Sequence, residues 1–267
     1  MQKKFKTKSP SEYNIEKQSH MFTQSQIEKF LFFDVETAGS TKSVDQLSQP
    51  MVKQWEHRCE YLRAIADKHP ENAALSIGEL FQQKAGLQAE FGRVVCVSFG
   101  KVKFNEDGSN LVQIVSYAGE DEVEILKQTF RVMNGMAKNG VKLFGHNIKR
   151  FDIPYLCKRA FINRLDPAVP LQVWDKKPWE ISATDSSELW SFGAWQESFT
   201  SLELLCTVLG LPTPKDEMKG DQVHENFYAG NIEGIKTYCQ KDVIALIRVA
   251  FALSSLNQFT ESDIIFK

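Results

Sequence analysis

No apolar stretch in this 267-residue sequence is long enough to cross a bilayer. Its longest apolar runs, such as Phe30 to Phe33 and Val94 to Phe99, fall far short of the roughly 20 residues that a membrane helix needs. The first twenty residues carry lysines but no apolar segment, which argues against a secretory leader. Cysteine is sparse and odd in number: Cys59, Cys96, Cys157, Cys206 and Cys239 are scattered, with no CxxC pair. That spacing suits neither a disulfide framework nor a zinc site, so reduced thiols and a cytoplasmic location are expected. Excess positive charge is also missing. The formal net charge of −2 gives no broad basic field for a duplex, although bound divalent cations can supply positive charge where a phosphate sits. There is no internal repeat.

What is present is an ordinary globular composition, 42% hydrophobic and 25% charged, with length for one large α/β domain. Residues 1–26 are polar and rich in Lys, Ser and Gln, and read as a flexible N-terminal arm ahead of a domain spanning 27–267. Phe30 to Phe33 reads as a buried central strand. A helical insertion follows at about 43–90. Val44, Leu47, Met51, Trp55, Cys59, Leu62 and Ile65 recur at helical spacing, and a second helix starts at Ser76. Arg93 to Phe104 and Leu111 to Tyr117 flank Asn105-Glu106-Asp107-Gly108 as a hairpin. A helix around Val123 to Met133, a strand at Val141 to Phe144 and a helix at Phe151 to Arg164 come next. Ser201 caps another helix closed by Gly210, and the last runs from about Ile232 to Leu253. This order predicts a mixed sheet flanked by helices.

Three stretches carry chemistry. Asp34 and Glu36 end the apolar strand and, two residues apart, point the same way. Buried together they need a cation, and hard oxygen ligands suit Mg²⁺ or Mn²⁺; an acidic strand-end turn is the alternative. Asp152 ends the run Gly145-His146-Asn147-Ile148-Lys149-Arg150-Phe151-Asp152 at a strand-to-helix junction, where it reads equally as a helix cap. Tyr238 and Asp242 lie four apart on one face of the last helix. There Asp242 adjoins apolar residues and calls for a partner, a cation or an arginine.

In order, D-x-E at a strand end, N-x-x-x-F-D at a strand-to-helix junction and Y-x-x-x-D on a late helix resemble the tyrosine branch of the DEDD 3′–5′ exonucleases. Phe33-Asp34-Val35-Glu36-Thr37, Gly145-His146-Asn147, Phe151-Asp152 and Tyr238-Cys239-Gln240-Lys241-Asp242-Val243 look like the exonuclease domain of family B DNA polymerases. Ser201-Leu202 before Leu209-Gly210-Leu211, and Asp185 to Trp190, resemble it further. The sister branch carries His five residues before the last Asp, where this chain has Thr237. The likeness covers about residues 28–255 apart from the insertion.

The resemblance implies an RNase H-like mixed five-stranded sheet and two-metal hydrolysis. Asp34, Glu36, Asp152 and Asp242 would hold two Mg²⁺ or Mn²⁺ ions, and Tyr238 would orient the attacking water. Thr37, His146, Asn147 and Phe151 would contact the terminal nucleotide. The substrate expected is a single-stranded DNA 3′ end, in repair or end trimming, with a polymerase or repair factor as partner in trans and no membrane. An RNase D-like exoribonuclease is the near alternative. A domain that has lost catalysis and binds nucleic acid or protein is the distant one, disfavoured because no carboxylate is missing. His57 and His69 read as helix-surface residues, and Trp174, Trp179, Trp190 and Trp195 as packing or stacking surfaces. His224 and Asp185 are weaker candidates beside the substrate path. The insertion reads either as a lid beside the site or as a cover over the sheet.

Overall fold

The computed structural model describes residues 20–64, 70–177, 180–194, 199–213 and 218–267. Residues 1–19 of the expected arm, Ile65, His69, Trp179 and Trp195 lie outside these residues. The apolar run at Phe30 opens β1 (Phe30–Gly39), which continues past the acidic residues to a length of ten. The others are β2 (Gly92–Phe104), β3 (Asn110–Ala118), β4 (Lys142–Gly145), β5 (Ala183–Asp185) and β6 (Ile264–Phe266). They form a single sheet in the order β5-β4-β1-β2-β3-β6. β1, β2 and β3 make an antiparallel meander, while β4 runs parallel to β1 and β5 parallel to β4.

The expected mixed α/β sheet forms, with one correction: among the described residues it has six strands instead of five. The added strand is three residues long, too short for alternation to mark in sequence, and it forms by pairing parallel to the β3 edge.

The helices are α1 (Gln24–Ile27), α2 (Gln49–Ala64), α3 (Ile77–Lys84), α4 (Glu122–Ala137) and α5 (Asp152–Ile162). They continue with α6 (Ser186–Ser191), α7 (Leu202–Val208), α8 (Val223–Tyr228) and α9 (Ile232–Leu253). Side-chain oxygens start several of them: Ser76 accepts from the Glu79 N–H, Asp121 from Glu124, Ser201 from Leu204 and Asn231 from Gly234. Gly210 follows α7 at φ +68, the left-handed conformation that glycine adopts without strain. Phe22, near the end of the expected arm, and Ile27, the first residue of the expected domain, pack onto the sheet. Ile27 is buried, and Phe22 meets Phe30 edge-on at 5.1 Å.

Alternation along β1 divides the core. Leu31, Phe33 and Val35 pack with Leu126 and Met133 of α4 and with Ile153 and Leu156 of α5. Phe30 and Phe32 turn the other way, against Val243, Leu246 and Ile247 of α9. Between β1 and β2, α2 and α3 have a small core of their own, in which Trp55 meets Phe81 at 5.2 Å and Phe91 at 4.9 Å. Arg159 of α5 and Glu122 of α4 form a buried two-pronged ion pair, with N–O distances of 2.5 and 2.8 Å. Among the described residues no helix is long and apolar enough to cross a membrane.

Candidate active site

The alternation that points Phe30 and Phe32 at α9 sends Asp34 and Glu36 the same way. A bulge between Glu36 and Thr37 then shifts the register, so that Glu36 lies opposite Cys96 and Thr37 opposite Val94. Bulges re-aim side chains at strand ends, and here Glu36 and Thr37 border the same cavity. From α9, the Cys239 thiol donates to the Asp34 main-chain oxygen at 3.5 Å and to its Oδ2 at 3.6 Å. Ligand atoms of Asp34, Glu36 and Cys239 all lie within 4.8 Å of one another. Cys239 was not among the expected site residues; its one sequence signal is its place between Tyr238 and Asp242.

Asp152 reaches the same place from β4. A Cβ on Gly145 would stand 2.2 Å from the Ile148 side chain and 3.0 Å from the Phe33 carbonyl, so only glycine lets the loop close against β1. Asn147 then turns the chain at φ +61. The buried Asp185 carboxylate holds the turn, accepting N–H bonds from Asn147 at 2.8 Å, Lys149 at 3.1 Å and Ser187 at 3.0 Å. Phe151 occupies the cap position without a side-chain cap, and Asp152 opens α5 with only 4% of its surface exposed. Asp152 is thus the first residue of the helix, with Phe151 at the cap position.

The charges show how closely these groups gather. Burial, then the Asp152 charge, pushes the Asp34 carboxyl up to about 7, against the Cys239 hydrogen bond. Burial, with the Asp185 and Asp242 charges, takes Asp152 up to about 8, although backbone hydrogen bonds oppose the rise. Glu36 is held well above the usual carboxylate range by burial, Asp34 and Asp242. Burial, Asp242, Glu36 and Asp34 push the Tyr238 phenol up as well, so it stays neutral. Four carboxylates and one phenol, from β1, α5 and α9, thus act on one another. Protons or cations must offset their repulsion.

The remaining expected residues divide. Thr37 and Phe151 line a cavity of ≈ 130 Å³ together with Glu36. Asn147 lies in the turn with its N–H taken by Asp185. His146, expected at the substrate, has both ring nitrogens engaged within the protein. Nε2 donates to the Thr200 carbonyl at 2.8 Å and Nδ1 bonds the Ser186 hydroxyl at 2.9 Å, so it braces the loop. His224 is likewise occupied, accepting from the Gly39 N–H at 3.0 Å and donating to the Lys42 carbonyl at 3.1 Å. The cavity also includes Gln82, Gln83 and Asp221, which no sequence pattern had marked.

No curated protein matches the sequence. Among solved structures, the family B DNA polymerase of the hyperthermophilic archaeon Pyrobaculum calidifontis is similar over 85% of this chain and 24% of its own, at 13% identity and a TM-score of 0.45. The chain therefore spans about a quarter of that polymerase. A family described as a predicted 3′–5′ exonuclease related to the exonuclease domain of PolB matches residues 85–256. This span holds Asp152, Tyr238 and Asp242 and begins after Asp34 and Glu36. Since it takes in more than half of the sequence, the chain belongs to this family of predicted 3′–5′ exonucleases related to the PolB exonuclease domain.

Proposed function

We propose that the protein is a metal-dependent 3′–5′ exonuclease that removes nucleotides from single-stranded DNA ends. The observation that carries this reading is the convergence of Asp34, Glu36, Asp152, Asp242 and Tyr238 from β1, α5 and α9. On this reading residues 27–267 form the exonuclease domain with its helical insertion at about 43–90, and a polymerase or repair factor supplies ends in trans.

The donor set fits hard divalent ions such as Mg²⁺ or Mn²⁺: carboxylate oxygens dominate, and the charges acting on them come chiefly from other carboxylates. Asp34, Glu36 and Asp242 would hold one ion and Asp34 the second, with Asp152 in support. When bound, the ions stabilise charge on the attacking and departing oxygens and make water reactive near neutral pH. Cys239 stays a thiol, raised by burial, and steadies Asp34 through its hydrogen bond.

Tyr238, being neutral, orients the attacking water and does not act as a base. The water oxygen bonds to phosphorus as the P–O3′ bond breaks. One of its protons goes to the departing 3′ oxygen and the other to solvent, leaving a nucleoside 5′-monophosphate and a shortened 3′-hydroxyl strand. Tyr238→Phe is expected to lower kcat about a hundredfold, the effect of losing one positioned hydrogen-bonding group, with Mn²⁺ affinity unchanged. An unaltered kcat would remove Tyr238 from the mechanism.

Metal-free stability provides an independent check. Burial lifts Asp34 and Asp152 from the ordinary aspartate value of 3.8 to about 7 and about 8 in the folded protein. Between these limits the native state binds more protons than the unfolded state, so stability falls as pH rises. In EDTA the melting temperature should therefore drop from about pH 5 to about pH 8. Mn²⁺ should restore it most at the upper end, because ions binding only the native state stabilise it. A flat EDTA profile without a Mn²⁺ effect at the higher pH contradicts the cluster's proposed role.

The reading as a whole is tested on 5′-labelled DNA and RNA, single- and double-stranded, with Mg²⁺, Mn²⁺ or EDTA. A one-nucleotide ladder on single-stranded DNA, confined to the metal lanes, is the expected result. A ladder on RNA alone moves the enzyme to the exoribonucleases. No ladder in any lane overturns the nuclease reading.

A further inference from the structure

We propose that α3 of the helical insertion forms, together with Phe151, the walls of the terminal-nucleotide subsite, and that Gln82 and Gln83 hold an unpaired 3′-terminal base there. This deepens the exonuclease reading and rests on it. The ≈ 130 Å³ cavity has Glu36, Thr37 and Phe151 on its border together with Gln82, Gln83 and Leu87 from α3 and the turn after it. A neighbouring cavity of ≈ 560 Å³ shares Gln82 and Gln83 and extends to Lys42 and Tyr228. The paired glutamines therefore stand where a carboxylate-lined cleft opens into a larger space.

The chemistry of this lining fits a base. Phe151 and Leu87, the latter 54% exposed, offer apolar surfaces of the kind that stack on base faces. Each glutamine amide supplies both a donor and an acceptor. Such amides can pair with the edge of any base, but only if no complementary strand already occupies that edge. The subsite would thus favour frayed or single-stranded ends with little sequence preference.

The wall is pinned to the strand that carries Glu36. A Cβ on Gly86 would stand 3.1 Å from the Thr37 carbonyl, so the turn after α3 rests directly on β1. Trp55 donates its indole N–H to the Ile77 carbonyl at 3.1 Å. Phe81 packs edge-on to His224 at 6.3 Å, and His224 in turn accepts the Gly39 N–H. A helix that only covered the sheet would need its inward residues, Leu80 and Phe81, and nothing more. The exposed Gln82 and Gln83 line the cavity beside Glu36 instead.

The test uses the full chain and the double variant Gln82→Ala/Gln83→Ala, in which exposed positions receive a good helix former. Hydrolysis of single-stranded and blunt duplex DNA gives kcat and KM. Anisotropy of a 5′-fluorescent oligothymidylate, with Ca²⁺ replacing Mg²⁺, gives Kd. For the single strand KM and Kd should rise about tenfold, the loss of roughly one net hydrogen bond, while kcat, read at saturation, separates weaker binding from slower chemistry. Leu87→Ala should raise KM in the same direction. If the wild type hydrolyses DNA and neither constant moves in either variant, the subsite assignment is overturned. If the wild type fails to hydrolyse but its binding weakens in the double variant, the subsite stands and the nuclease reading falls. If the wild type neither hydrolyses nor binds, both fall.

Discussion

Asp34→Asn is expected to lower metal-dependent hydrolysis about a thousandfold, the rate equivalent of several kcal/mol of lost metal-assisted stabilisation. The substitution keeps the shape of the side chain and removes its charge, and Asp34 is the residue assigned to both ions. It should also raise the melting temperature of the metal-free protein near neutral pH. Asp34 is buried beside the like charge of Asp152, and its ionised form is disfavoured in the fold. Lower activity together with higher metal-free stability separates this carboxylate from one that only supports the structure. Single-turnover hydrolysis and melting in EDTA measure the two effects. Full hydrolysis by Asp34→Asn would remove it from the site, and a lower melting temperature would contradict the electrostatic account.

Arg159→Met is expected to destabilise the fold by about 3–5 kcal/mol, the range for breaking a buried ion pair by removing one partner. Glu122 lies between α4, α5 and β2: its carboxylate also accepts the Val94 N–H at 2.8 Å and an Asn163 amide bond at 3.1 Å. The arginine further donates to the Ala89 carbonyl at 2.9 Å, tying α5 to the segment that enters β2. Without it a charged carboxylate stays buried beside groups that cannot neutralise it. The double variant Glu122→Leu/Arg159→Met, with neither charge left, should recover much of the loss. Urea unfolding of the three proteins tests this. A loss below about 1 kcal/mol in the single variant, typical of a surface pair, would show that the pair is not the tie described.

Alternation and helical spacing made most of this site legible in the sequence. The parity that buries Phe30 and Phe32 against α9 also sends Asp34 and Glu36 toward that helix, where the Cys239 thiol meets Asp34, and four-residue spacing puts Tyr238 and Asp242 on one helical face. Pairing in space was not legible. β1 runs on to Gly39 because β2 pairs with it that far, and β6 exists only because an edge of β3 is there to receive it. His146 is marked only by adjoining the motif that ends at Asp152; its partners Ser186 and Thr200, distant in sequence, cannot be read there. Cys239 and the Gln82–Gln83 pair show no period or motif of their own. Their position depends on how α9 and α3 pack onto β1, which only the folded chain displays.

The central claim, that water attacks the terminal phosphodiester at these carboxylates, is tested most directly with a single strand in H₂¹⁸O and Mn²⁺. Mass spectrometry of the released mononucleotides should find nucleoside 5′-monophosphates carrying ¹⁸O on phosphorus. They should form with the wild type and stay at background with Asp34→Asn. Nucleoside 3′-phosphates, unlabelled products, or equal release by the variant would contradict it.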